Sequence, residues 1–246
     1  MKRNCVFLLI LAPFLLPAVS CRQLYTTSIA APLARDGITI SSGTSIGDLV
    51  SLAEGDAAAD TDTAKAVLSV LGDKSAADIE AMSVASQTAI LNLATTATVS
   101  IKTLTDLASE ATASGADTDQ LISDAFDAFD SSVNLTAIET ILGDTDALGE
   151  APADTLIFAS ATVLADVAED IGSSTTLMDV LKAATDPVAP VALDDPSLGL
   201  TADQQDRIAL VIGVKDALDA RPAEDLASVT FGDFNLIDLL NGTQGT

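Results

Sequence analysis

Beyond residue 44 the chain reads as short amphipathic segments in which apolar positions recur at three- and four-residue intervals, set apart by clusters of Gly, Pro and Asp. Alternation of apolar and polar residues at period two, the mark of a half-buried strand, is almost absent. The pattern therefore predicts an all-α fold, either a helical bundle or a short α-solenoid-like array of antiparallel helices. Helices are expected near 45–54, 62–71, 75–112, 118–130, 134–142, 152–171, 174–185, 201–219, 222–229 and 233–241. Start signals precede several of them: Ser75-Ala76-Ala77-Asp78 and Thr201-Ala202-Asp203-Gln204 have the form of capping boxes, and Pro152 and Pro222 sit where a first turn would begin. Gly72 and Gly143 follow the apolar pairs Val70-Leu71 and Ile141-Leu142, and Gly242 follows Leu239-Leu240-Asn241, as stop signals.

The 75–112 stretch places Ile90, Ala94, Ala97, Ile101, Leu104, Ala108 and Ala111 on one helical face. Residues 81–101 carry no charge, but Gln87, Asn92 and many Ser and Thr residues dilute the hydropathy below that of a lipid-facing span. A central helix buried by its neighbours is the better account, with Thr95, Thr96 and Thr98 marking a candidate break. A faint echo links Leu71-Gly72-Asp73, followed by Ala77-Asp78-Ile79, to Leu142-Gly143-Asp144, followed by Ala153-Asp154-Thr155. In a chain so rich in Ala and Asp, coincidence accounts for it more readily than duplication.

The N-terminus has a different pattern. Lys2 and Arg3 precede an apolar run over 6–19, broken by Pro13 and Pro17 and followed by Ser20-Cys21. A basic start, a short apolar stretch and a small residue before the break make an export signal, and the run is too short and too Pro-broken for a spanning helix, which needs about 20 apolar residues. Ala18-Val19-Ser20-Cys21 resembles the lipobox of bacterial lipoproteins, with Ala18 where Leu is usual. The resemblance implies cleavage before Cys21 and acylation of that residue, giving a stable membrane anchor through several acyl chains. It also implies, through Arg22 in place of Asp, export to an outer membrane where the cell has one. The expected organisation is a signal over 1–20, a lipid anchor and Ser/Thr/Gly-rich tether over 21–44, one helical domain over 45–241 and a tail over 242–246.

Cysteine usage fits this address: Cys5 leaves with the signal and Cys21 is consumed by lipid, so the mature chain keeps neither a free thiol nor a disulfide. Loss of Lys2 and Arg3 with the signal takes the formal charge from −25 to −27. Such a surface repels anionic headgroups, so the lipid and not the protein face holds the chain to a membrane.

Composition narrows the chemistry. With 36 acidic against 11 basic residues the chain lacks the clustered cations that a phosphate backbone requires, which excludes nucleic acid as a partner. With no His there is no Ser-His-Asp or Cys-His catalysis and no imidazole metal ligand. Gly43-Thr44-Ser45-Ile46-Gly47 matches a nucleophile elbow in letters only; Ser45 reads as a helix cap. Asp144-Thr145-Asp146-Ala147-Leu148-Gly149 begins like an EF-hand loop, yet Leu148 and Thr155 stand where further oxygen ligands belong, so an interhelical loop is expected. Asp60 and Asp62, Asp117 and Asp119, and Asp194-Asp195 read as helix-start acids. Asp124, Asp127 and Asp130 form the solvated face opposite Leu121, Ala125 and Phe129. A carboxylate pair alone can run glycoside hydrolysis, but sugar sites usually add aromatic platforms. Phe126, Phe129, Phe158, Phe231 and Phe234 instead fit apolar helix faces.

No catalytic residue, metal site or cofactor is therefore assigned, and Cys21 is the single modification site. The expected function is that of a lipid-anchored, non-enzymatic interaction or accessory subunit in the cell envelope, with other envelope proteins as partners. The alternative is a helical binding module for a small apolar or cationic ligand, such as a transport accessory protein.

Overall fold

A computed structural model of the chain describes residues 40–55, 60–98, 124, 126, 129, 132–222, 225–226, 230–231 and 234–235. Internal contacts divide the chain between Thr39 and Ile40, and every described residue belongs to the second unit. The fold is an all-α bundle. Among the described residues its helices, in chain order, are α1 (Ile46–Ala53), α2 (Thr61–Gly72), α3 (Ala76–Glu80), α4 (Val84–Thr98), α5 (Thr136–Leu142), α6 (Thr145–Glu150), α7 (Ala153–Ile171), α8 (Ser174–Ala184) and α9 (Ala202–Asp219). A single 3₁₀ turn, Pro196–Leu198, lies between α8 and α9. Two-residue strands β1 (Thr230–Phe231) and β2 (Phe234–Asn235) pair antiparallel.

Local chemistry explains where these helices begin. Ser45, Asp60, Ser75, Asp144, Ser173 and Thr201 each accept a backbone N–H of the first turn they precede, worth about 1 kcal/mol per cap. At Thr201 the box is reciprocal: its hydroxyl accepts from Gln204 N–H while Gln204 Oε1 accepts from Thr201 N–H at 2.9 Å. At Ser75 it is not, because the shorter Asp78 carboxylate instead accepts a hydrogen bond from the Ser75 hydroxyl at 2.6 Å. Gly172, at φ +79°, ends α7: its N–H reaches Glu169 O and the Ser173 N–H reaches Ala168 O, a Schellman turn that requires a left-handed residue. Gly72 has another reason. A Cβ there would run into the Asn134 side chain, whose Oδ1 caps Thr136 N–H at the start of α5.

The core is aliphatic. Leu49, Leu68, Leu71, Ile79, Ile90, Leu91, Ile138, Ile141 and Leu156 are fully buried, each worth about 1.5–3 kcal/mol of transfer free energy, which outweighs any single cap. At its centre is α7, which packs on α4, α8 and α9 and is buried nearly all round from Thr155 to Ala165. Small residues at Ala159, Ser160, Ala161 and Ala165 accompany this all-round burial. Polar rungs fix the α4–α7 register: Thr155 Oγ1 donates to Asn92 Oδ1 at 3.0 Å, and the Thr98 and Thr162 hydroxyls meet at 3.4 Å.

Four expectations need correction or a limit. The stretch 75–112 is not one helix: α3 ends at Glu80, Ala81–Ser83 form a break, and Ser83 Oγ caps α4 by accepting from Ser86 N–H at 3.2 Å. Residues 144–150 are not a loop but α6, capped by Asp144. Of the helix expected near 222–229, the described residues 222, 225 and 226 form a turn in which Asp225 N–H donates to Pro222 O, and of that expected near 233–241, Phe234 and Asn235 form β2, paired with β1; the rest of both stretches lies outside the described residues. The physical reason is that Phe231 and Phe234 flank Gly232-Asp233, the length and composition of a two-residue hairpin loop. Of the helix expected near 118–130, only Asp124 and Phe126 are described as helical, and the rest of it, like 99–112, lies outside the described residues. The Leu-Gly-Asp echo does not map onto equivalent elements: Ala77-Asp78-Ile79 lies within α3, whereas Ala153-Asp154-Thr155 opens α7.

Candidate functional site

The predicted modification site, Cys21, lies outside the described residues, as do Ala18, Val19, Ser20 and Arg22. Ser45 is a cap: its Oγ accepts from Asp48 N–H and donates to Asp48 Oδ2 at 2.8 Å. The EF-hand-like stretch is likewise structural. Asp144 Oδ1 accepts from Asp146 N–H at 2.9 Å and its Oδ2 from the Gln87 amide at 3.0 Å, which together hold its carboxyl below the ordinary aspartate range, the Gln87 bond contributing most. Asp60 is held low by the Thr63 hydroxyl and then its N–H, Asp195 by Ser197, and Asp186 by the N–H groups of Val188 and Ala189. Among the described residues no group of three or more Asp, Glu, Cys or His side chains is placed to hold a metal ion. Asp117, Asp119, Asp127 and Asp130 lie outside the described residues.

What the sequence reading missed is an ion cluster at the junction of three helices. Arg207, on the inward face of α9, donates through Nε to Glu139 of α5 at 2.8 Å and through Nη1 to Asp170 of α7 at 3.2 Å. Its Nη2 donates to Asp166 of α7, and Asp203, one turn back on α9, lies 3.9 Å from Nη1. One guanidinium thus faces four carboxylates. Burial works against the charge on Arg207, but the Asp166 bond and the Glu139 charge outweigh it and hold the guanidinium more firmly protonated. Burial pushes Glu139 above the ordinary glutamate range; Arg207 offsets this only in part, and Asp203 and Asp166 add to it. All three guanidinium nitrogens donate to carboxylates. A signal existed in the sequence: Gln204, Arg207, Val211, Val214 and Leu218 share the buried spacing of α9, which puts a cation on a core face.

A second cation closes the bundle elsewhere. Arg221, just past α9, donates to Ala151 O at 2.8 Å and to Leu148 O, satisfying carbonyls at the end of α6.

An open cavity of about 390 Å³ flanks the C-terminal half of α7, lined by Phe126, Phe129, Ala165, Ala168, Glu169 and Gly172 and by Ser173 and Ser174 at the start of α8. Its volume falls in the range of small-molecule pockets. Phe126 is buried and Phe129 half-buried, so the expectation that these rings belong to the core holds for Phe126, while both also form the cavity wall. Phe158 packs on the core from the other part of α7. Among the described residues no helix is long and apolar enough to cross a membrane. No protein-family model, curated protein or solved structure matches the chain.

Proposed function

We propose that the chain is a lipid-anchored extracytoplasmic protein of the bacterial cell envelope, tethered through Cys21 and acting as a non-enzymatic interaction or accessory subunit for other envelope proteins. The observation that carries this reading is the order of features over residues 1–21: two cations, a short Pro-broken apolar run, and Ala18-Val19-Ser20-Cys21. The helical unit from Ile40 onward supports it in one respect. There Arg207 and Arg221 join helices, Arg207 through Glu139 and Asp166 and Arg221 through the Ala151 carbonyl. In-cell crosslinking of the wild-type protein with mass spectrometry, against a Cys21→Ser control, tests the reading: a reproducible envelope partner lost in the control supports it, and the same partners in both contradict the anchored role.

The cavity beside α7 favours a second reading, a binding module for a small apolar or cationic ligand. Native mass spectrometry of the protein purified from its source would then show a bound small molecule that Phe129→Ala releases.

A further inference from the structure

Glu139 stands at a junction where three helices bring more negative charge together than their cation can neutralise. The charged groups acting on it are Arg207 and Asp203 from α9 and Asp166 from α7, with Asp170 of α7 completing the ring. Among the described residues α2, α3, α4 and α6, which also pack on α5, contribute no hydrogen bond or ion pair to its carboxylate. Side-chain exposure divides the ring. Glu139 and Asp166 are 28% and 24% exposed, whereas Asp170 and Asp203 are 53% and 78% exposed and solvated.

We propose that the α5–α7–α9 junction is a proton-tightened latch, in which Glu139 takes up a proton as the pH falls while the fold is retained. Four carboxylates around one guanidinium leave a local formal charge of −3, and the two least exposed of them, Glu139 and Asp166, share that one cation in a partly dry site, which favours uptake of a proton by one of the two. Protonation need not break the junction. A neutral carboxyl still presents an oxygen acceptor to Arg207 Nε, and the guanidinium charge is then shared among three carboxylates instead of four. The raised carboxyl of Glu139 has the sign this requires. A carboxyl whose folded value lies above its unfolded one adds stability that is present in acid and lost as the pH rises through the folded value. The capping carboxylates Asp60, Asp144, Asp186 and Asp195, held low, have the opposite slope, so the latch acts against the usual acid loosening of the helix ends.

The test compares the full-length chain with its Glu139→Gln variant, since Gln has the shape and the acceptor of the protonated acid. Melting temperature followed across pH should be higher for Glu139→Gln at neutral pH, with the gap closing below the ordinary glutamate range. A gap that does not change with pH, or a variant less stable at neutral pH, overturns the proposal. Carbon-13 titration of the Glu139 carboxyl in the wild-type chain tests it without a substitution: a midpoint above the ordinary glutamate value is expected, and one at or below that value overturns it.

Discussion

Replacing Arg207 by Met probes the junction most severely. The apolar stem of the arginine is conserved in volume, so the loss is that of the guanidinium. Arg207 is 11% exposed, and its removal leaves Glu139 and Asp166, each about three-quarters buried, as like charges with no cation between them. Breaking a fully buried pair costs about 3–5 kcal/mol. Partial exposure of both acids reduces that figure, and the solvated Asp170 and Asp203 contribute only about 0.2–1 kcal/mol each. The expected loss is therefore about 2–4 kcal/mol, a fall in melting temperature of roughly 5–15 °C for a domain of this size. Thermal and urea unfolding followed by circular dichroism measures it. In the Arg207→Met background, Glu139→Gln should recover more stability than it adds to the wild type, because neutralising Glu139 then removes an uncompensated charge. A loss below about 1 kcal/mol, or an identical effect of Glu139→Gln in both backgrounds, would refute the reasoning.

Two further outcomes follow from single positions. Gly172→Ala forces a Cβ onto a residue at φ +79° with open space around it, so the cost is conformational only, about 1–2 kcal/mol, and urea unfolding should register it without loss of helicity. Gln87→Met removes a buried carbonyl oxygen that has no partner together with the amide that holds Asp144 low. Stability near neutral pH should change little, while the Asp144 titration midpoint rises toward the ordinary aspartate value. In the wild type Asp144 adds stability above its unfolded value that is lost as the pH falls through the lower, folded one, and this slope should flatten in the variant; an unmoved midpoint would show that Gln87 does not set it.

The parts of the fold that depend on neighbouring residues were legible in the sequence. Ser45, Ser75 and Thr201 act within three positions of themselves, and their caps are where the residue types place them. The apolar spacing of Ile90, Ala94 and Ala97 put these side chains on the buried face of α4. The break ahead of α4 was hidden because Ala81–Ser83 contains no Gly or Pro, and the cap that starts the helix, Ser83, sits inside an uncharged run rich in other Ser and Thr residues. Near Gly232, a helical reading of Phe231 and Phe234 overlooked the two-residue spacing that pairs them across a hairpin. The Arg207 cluster lay further out of reach. Its acids on α5 and α7 stand 68, 41 and 37 positions from the arginine, and only packing brings them together. The cavity beside α7 has the same origin, since Phe126 and Gly172 come to line one cavity through the tertiary fold alone.

Metabolic labelling with a fatty acid, comparing the wild-type chain with Cys21→Ser in a bacterial host, tests the proposed address most directly. The account predicts an acylated, shortened wild-type protein in the membrane fraction and an unlabelled, full-length precursor for the variant. Equal labelling of the two, or an unlabelled wild-type protein, would contradict it.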